Sequence, residues 1–263
     1  GPALLQGSEP FVGARVARAL QDRGVEIELG NTVRAVARND SGGVSVATAD
    51  THVRADEIVV ATGRSVNTGD LGLETVGLPV GDFVAVDDHL TATGVDGEWL
   101  YAIGDTTGRA LLSHVSQYHA GIMADSVASL ARGDVRDGSD STTQDSGRLA
   151  QIIVTDPQVV EVGYTESAAR AAGFNVTTRN ALYPGELAEL STLRDGFDAE
   201  GKLVIDADRD TLLGATFVGP DVAELVQAAT VAVVGEVPLS VLRHVVAPHP
   251  SLSQVWNPLL VAS

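Results

Sequence analysis

Residues Leu100–Asp125 read LYAIGDTTGRALLSHVSQYHAGIMAD, and the order of residue types in this stretch decides the fold. An apolar run from Leu100 to Ile103 ends in Gly104-Asp105, passes a Thr-Thr-Gly-Arg turn and resumes as a helix with Ser113 near its start. That order is strand, acidic tip, turn, helix. In open α/β sheets, ligands sit outside the carboxyl ends of strands, where helix N-termini present unpaired N–H groups. Asp105 and the Ser113 end of the helix therefore fall where chemistry is expected.

Upstream, Val12, Val16 and Leu20 recur among Arg15, Arg18, Gln21 and Asp22, with Gly24 as a left-handed stop, which predicts an amphipathic helix. A strand is expected over Val25–Leu29. Two alternating segments, Thr32–Ala37 and Val44–Thr48, flank a turn-forming Asn39–Gly43, and a third follows near Val53, as in an antiparallel meander. Glu57–Ala61 (EIVVA) reads as a short all-apolar strand entering Thr62-Gly63-Arg64, of which Gly63 and Arg64 are assigned structural roles. Weak strand character returns at Phe83–Val86.

Downstream, the helix from Ser113 places Val115, Ile122, Val127 and Leu130 on one side, with Ala120, Gly121 and Ala124 small enough for close packing, and ends near Arg132. Residues 133–147 are rich in Gly, Asp, Ser and Thr and read as a linker. The chain thus divides into an α/β region over 1–132, the linker 133–147 and a compact α+β domain over 148–263. In the last, strands are expected near 151–154, 159–165, 176–182, 201–206 and 212–218, with helices at 167–172 and 221–234 and a short one at 239–244. Asp221 with Glu224 has the spacing of a capping box.

With 17 Lys plus Arg against 35 Asp plus Glu, the net charge is −18, which repels nucleic-acid phosphate and anionic lipid, so neither is expected as a partner. There is no run of about 18 apolar residues and no basic-then-apolar leader, so the expectation is a cytoplasmic protein without a membrane span. The absence of cysteine excludes disulfides, thiolate metal sites and thiol redox chemistry from this chain. The six histidines lack metal-ligand spacing: His114 and His119, five apart, turn away from a shared helical face.

Five segments in order, EIVVATGR (57–64), LYAIGD with LLSHVSQYHAG (100–121), TDPQVVEVGYTE (155–166), LLGATFVG with its helix (212–234) and HPSLSQ (249–254), resemble the C-terminal half of the pyridine nucleotide-disulfide oxidoreductases. This is the family of lipoamide dehydrogenase, glutathione reductase and mercuric reductase. The resemblance implies a truncated nucleotide-binding α/β region followed by a flavoprotein-reductase-like interface domain that makes a homodimer through 148–263. It also implies that Asp105 meets the flavin ribityl chain and that the backbone at Ser113, His114 and Val115 faces the isoalloxazine. His249 matches the interface histidine, an acid/base catalyst in the neighbouring subunit's site, and Gln254 stands where its orienting glutamate is usual. Tyr118 and His119, one turn along, are expected at the surface or an interface.

Several family features are missing from this sequence. Neither Gly-x-Gly-x-x-Gly phosphate cradle occurs, nor the redox cysteine pair, and Gln254 lacks the charge that would stabilise an imidazolium. An arbitrary truncation would rarely start inside a half-domain, so a naturally short protein is the expectation. The function expected on these grounds is a redox-dead relative doing cofactor-independent acid/base chemistry, such as cyclisation, isomerisation or elimination. It would act on an apolar small molecule in the inherited cleft, with His249, His114, Asp105 and Gln254 as catalytic candidates. No cofactor is expected from the chain alone. The alternatives are a fragment or subunit of an FAD- and NAD(P)H-dependent reductase, completed by a missing N-terminal half in cis or as a separate chain, and a non-catalytic dimeric binding protein. A paired-carboxylate reading of Glu186 and Glu189 competes with a plain solvated turn.

Overall fold

A computed structural model describes residues 1–40, 42–134, 141–142, 147–185 and 187–261. Glu186 and linker residues 135–140 and 143–146 lie outside the described residues. The chain forms two compact units, one made of Gly1–Thr62 with Ala150–Ser263 and the other of Gly63–Leu149.

The first unit is built on a five-stranded antiparallel sheet in the order β4-β5-β8-β7-β6. Its strands are β4 (Ala150–Ile153), β5 (Gln158–Gly163), β6 (Val176–Tyr183), β7 (Ala199–Asp206) and β8 (Thr211–Gly219). Central β8 is buried along its whole length, because both faces of the sheet are covered. On one face Phe217, Ala215, Leu203 and Val160 pack with α5 (Val226–Val234) and α7 (Trp256–Leu260). The Phe217 and Trp256 rings meet edge-on at 5.3 Å there. Strand β8 therefore reads as an apolar run rather than an alternation.

On the other face, α1 (Pro10–Asp22) lays Val12 and Val16 against Val159 and Val218. The apolar positions four apart that predict this helix are the ones it buries. Charges at its N-terminal end and along its middle hold it to the sheet: Lys202 Nζ lies 2.8 Å from Glu9 Oε2 and 2.7 Å from Glu166 Oε2, and the Glu166 N–H donates to Glu9 Oε1 at 2.7 Å. Arg15 reaches Glu200 at 2.7 Å and Asp198 at 2.9 Å. Burial works against the Lys202 charge, but the hydrogen bonds to Glu166 and Glu9 outweigh it and hold its pKa above the ordinary value. The same contacts, first with Lys202 and then with Arg170, depress the Glu166 carboxyl. This is the physical reason that α1 groups with the C-terminal sheet.

Five local expectations are corrected. Asp221 does not cap its helix: it sits at φ +58° with no side-chain cap bond, at the start of a 3-10 turn (Val222–Leu225) that runs into α5. The meander forms as β1 (Ala35–Arg38), β2 (Val44–Ala47) and β3 (His52–Ala55), yet Val25–Leu29 and EIVVA are not strands. Val59 is 91% and Val60 70% exposed. A strand exists only through its ladder partners, and no described residue pairs with either segment. Phe83–Val86 and Leu100–Ile103 are likewise reduced to isolated bridges at Val86–Ala92 and Thr91–Tyr101.

In the second unit, helix α2 (Ser113–Arg132) has the expected bounds but a different buried face. Val115, His119 and Ser126 are buried, whereas Val127 and Leu130 are exposed. Ala120, Gly121 and Ala124 are exposed too, and a Cβ on Gly121 would meet nothing within 4 Å. His119 is thus a core residue, not a surface one. A small core of Leu78, Val84 and Ala92 underlies the loops before Leu100. Thr142, in the expected linker, is buried: its N–H and Oγ1 both donate to the Asp88 carbonyl, at 2.7 and 3.0 Å.

Candidate functional site

The acidic tip read from the sequence is a 3-10 turn, Gly104–Thr107, held from every side. Thr106 Oγ1 donates to the Ile103 carbonyl at 2.7 Å and Thr107 Oγ1 to the Gly104 carbonyl at 2.8 Å. The Val84 N–H donates to the Thr106 carbonyl at 2.9 Å, and the Gly104 N–H donates to His119 Nδ1 at 3.0 Å. Glycines bracket the turn at φ +64° and +70°. A Cβ on Gly104 would lie 2.5 Å from Ser116 Oγ, and one on Gly108 2.8 Å from the Phe83 ring, so the turn is pressed between α2 and Phe83. Next along, Arg109 donates to Thr142 Oγ1 at 2.7 Å and to Asp88 at 3.0 Å.

This framework leaves Asp105 exposed on the rim of a cleft of about 260 Å³ lined by Arg64, Ser65, Val66, Phe83, Asp105 and Leu111. The Asp105 carboxylate receives no hydrogen bond from the described residues. Arg64 Nη1 donates to the Leu111 carbonyl at 2.6 Å and so fixes the wall just before α2. Arg64 is therefore part of the cleft as well as structural. The cleft offers a carboxylate, a guanidinium and an aromatic ring to one small polar ligand group.

Of the helix-start residues expected beside a ligand, Ser113 and His114 are exposed and Val115 is buried. Ser113 is the first helical residue rather than the N-cap. Leu112 takes the cap position, in extended conformation and without a side-chain cap bond. The Val115 and Ser116 N–H groups donate to its carbonyl.

In the first unit, His249 is exposed and its ring makes no hydrogen bond among the described residues. Gln254 does not orient it. Gln254 Oε1 accepts the Ser251 N–H at 3.4 Å in a capping box, and its Nε2 donates to Glu189 Oε1 at 3.4 Å. The S-x-x-Q spacing that carries this signal is plain in SLSQ. Beside it, an apolar cleft of about 410 Å³ is lined by Val231, Leu242, Val245, Val246, Trp256 and Leu260 with their neighbours, and Val246 is 87% exposed. Among the described residues no three His, Asp or Glu side chains converge as a metal site requires. Nor is any helix among them long and apolar enough to cross a membrane.

Two family profiles match the chain. The pyridine nucleotide-disulphide oxidoreductase profile covers residues 1–124, and the dimerisation-domain profile of the same family covers 149–259. The chain belongs to this family. Dihydrolipoyl dehydrogenase of Zymomonas mobilis is 31% identical over 100% of the chain and 54% of that protein. Glutathione reductase of Burkholderia cepacia is 29% identical over 97% of the chain and 54% of that protein. The Cu(II) complex of the HOCl-induced flavoprotein disulfide reductase RclA from Escherichia coli shares the fold, with a TM-score of 0.82 at 23% identity, over 98% of this chain and 56% of that one. The chain spans about half the length of the curated relatives it matches. As a family member it carries a nucleotide-domain segment and the dimerisation domain, and the turn at Asp105 lies inside the matched region.

Two contributors to the site escaped the sequence reading. His119 gave a signal that was available, since it falls four residues after Val115 and seven before Ser126 on one helical stripe. Phe83 gave none, because only the fold brings it to Gly108.

Proposed function

We propose that this chain is the C-terminal half of an FAD- and NAD(P)H-dependent disulfide-reductase-type oxidoreductase, working with an N-terminal portion in the same or a separate polypeptide. The observation that carries this reading is the exposure of EIVVA. Val59 and Val60, at 91% and 70%, form a strand-grade apolar segment that described residues leave unpaired. Such a segment is an edge awaiting partners rather than a finished surface. Completion by the strands of a nucleotide-binding domain supplies those partners.

The residues at the Asp105 cleft fit the flavin's polyol chain. An exposed carboxylate with no donor among the described residues is an acceptor suited to hydroxyl groups, and Arg64 supplies a cation on the same wall. A bound flavin supplies the hydride and electron transfer of such a reductase. This chain's part is to hold the ribityl hydroxyls at Asp105 and to close one side of the site with the Gly104–Thr107 turn and α2. The exposed apolar cleft at Val231, Val245 and Val246 suits pairing of two copies as a homodimer, and the His249 imidazole, unengaged among the described residues, suits proton transfer in the partner's site.

Cofactor-independent cyclase or isomerase chemistry finds no support in this geometry. Gln254 is committed to Ser251 and Glu189, and the charged walls of the Asp105 cleft suit a hydroxylated group better than an apolar one. The test is purification of the affinity-tagged protein from its natural source. A yellow preparation with the visible flavin band, in a longer polypeptide or in stoichiometric complex with a chain bearing Gly-x-Gly-x-x-Gly, is the expected result. A colourless homodimer of this 27.2 kDa chain alone, stable and monodisperse, overturns it.

A further inference from the structure

His119 is fully buried, at 0% exposure, on the face of α2 that meets the Gly104–Thr107 turn. Its Nδ1 accepts the Gly104 N–H at 3.0 Å, which requires that nitrogen to be unprotonated and places the proton of the neutral ring on Nε2. Gly104 is itself buried, so its N–H has no water to fall back on. Three residues earlier on the same helical face, Ser116 presses on the Gly104 α-carbon position, where any Cβ would lie 2.5 Å from its Oγ. Contact from Ser116 and a directional bond to His119 together fix one peptide unit. The side chain that follows that unit is Asp105, which lines the cleft at its rim.

We infer that His119 is a positioning residue of the flavin subsite: through Nδ1 it sets the Gly104 amide, and so the direction in which the Asp105 carboxylate is presented. The inference rests on the proposed flavin-dependent function. The side chain is not part of the cleft wall, which is formed by Arg64, Ser65, Val66, Phe83, Asp105 and Leu111, so it reaches the cleft through the turn. Its requirement is specific. An acceptor must stand at the Nδ1 position, one bond closer to the backbone than Nε2. Asparagine Oδ1 meets that requirement, whereas glutamine Oε1, at the Nε2 position, and leucine do not.

The experiment compares His119→Asn, His119→Gln and His119→Leu in the complete flavoprotein, with two readouts: flavin retention and its visible spectrum, and hydrogen exchange at the Gly104 amide. His119→Asn is expected to keep Gly104 protected and flavin retention near wild type. His119→Leu and His119→Gln are expected to lose that protection and weaken flavin retention roughly tenfold or more, with exchange in the dimerisation sheet unchanged. Should the leucine variant fail to fold, the Asn and Gln pair decides. Equal behaviour of Asn and Gln, or retained Gly104 protection and flavin in both Leu and Gln, overturns the inference while leaving the flavin-dependent function standing. A complete wild-type protein that binds no flavin overturns that function, and the flavin role of His119 with it, whereas the exchange readout still reports the bond to Gly104.

Discussion

Lys202→Met is the most direct test of why the N-terminal helix folds onto the dimerisation sheet. Glu9 is 2% exposed and depends on Lys202 Nζ at 2.8 Å. Removing the ammonium leaves that carboxylate buried and held by the Glu166 N–H at 2.7 Å. Breaking a buried pair from one side costs ~3–5 kcal/mol. The low end applies, about 3 kcal/mol, because Glu166, whose side chain is 32% exposed, rehydrates and keeps Arg170 at 2.9 Å. In Glu9→Gln/Lys202→Met the glutamine Oε1 still accepts the Glu166 N–H and no charge is stranded, so the cost falls to about 1 kcal/mol. Urea unfolding of both variants, read as a midpoint shift at constant slope, measures the difference. A single variant costing less than about 1 kcal/mol, or a double as costly as the single, would refute the reasoning.

Four further outcomes are expected. Gly104→Ala forces a side chain into φ +64° against Ser116 and costs about 2 kcal/mol or more in urea unfolding; Ser116→Gly relieves the contact but not the backbone strain. Gln254→Glu, which restores the family's usual residue, places a second carboxylate beside Glu189 and destabilises by roughly 1–3 kcal/mol at neutral pH, a cost that shrinks as the pH falls through the carboxylate range. Because the folded-state pKa of Lys202 is raised above 10.5, its contribution is complete below that value and disappears as the pH rises through the folded pKa. Alkaline unfolding should accordingly occur at lower pH in wild type than in Glu9→Gln/Lys202→Met once their neutral-pH stabilities are matched with urea. Val59→Lys with Val60→Lys changes the stability of this chain by less than about 0.5 kcal/mol while raising its solubility, but abolishes assembly with the N-terminal portion, as pull-down of the two portions would show.

Much of the fold is legible in the residue pattern because it rests on local periodicity. The spacing of α1 and the alternation of the meander follow from positions four or two apart, the strands of the dimerisation sheet from short apolar runs between turn residues, and five ordered segments identify the family. The candidate site is legible to the level of Asp105, because strand, Gly-Asp, turn and helix is a contiguous signal. Gln254 shows the limit: its place in HPSLSQ suggests an orienter for His249, but the same four residues encode a capping box, and the local hydrogen bonds prevail.

The family, the acidic turn, the helix behind it and the absence of thiol chemistry in this chain can all be read without a fold, since each is written in neighbouring residues or in composition. It took the folded chain to show that α1 belongs with the C-terminal sheet, that His119 is buried on Gly104, that Arg64 and Phe83 share a cleft with Asp105, and that EIVVA stands unpaired among the described residues. These depend on which distant surfaces meet. A ladder, a buried ion pair or a cleft wall joins residues tens to hundreds of positions apart, and no local periodicity records the join.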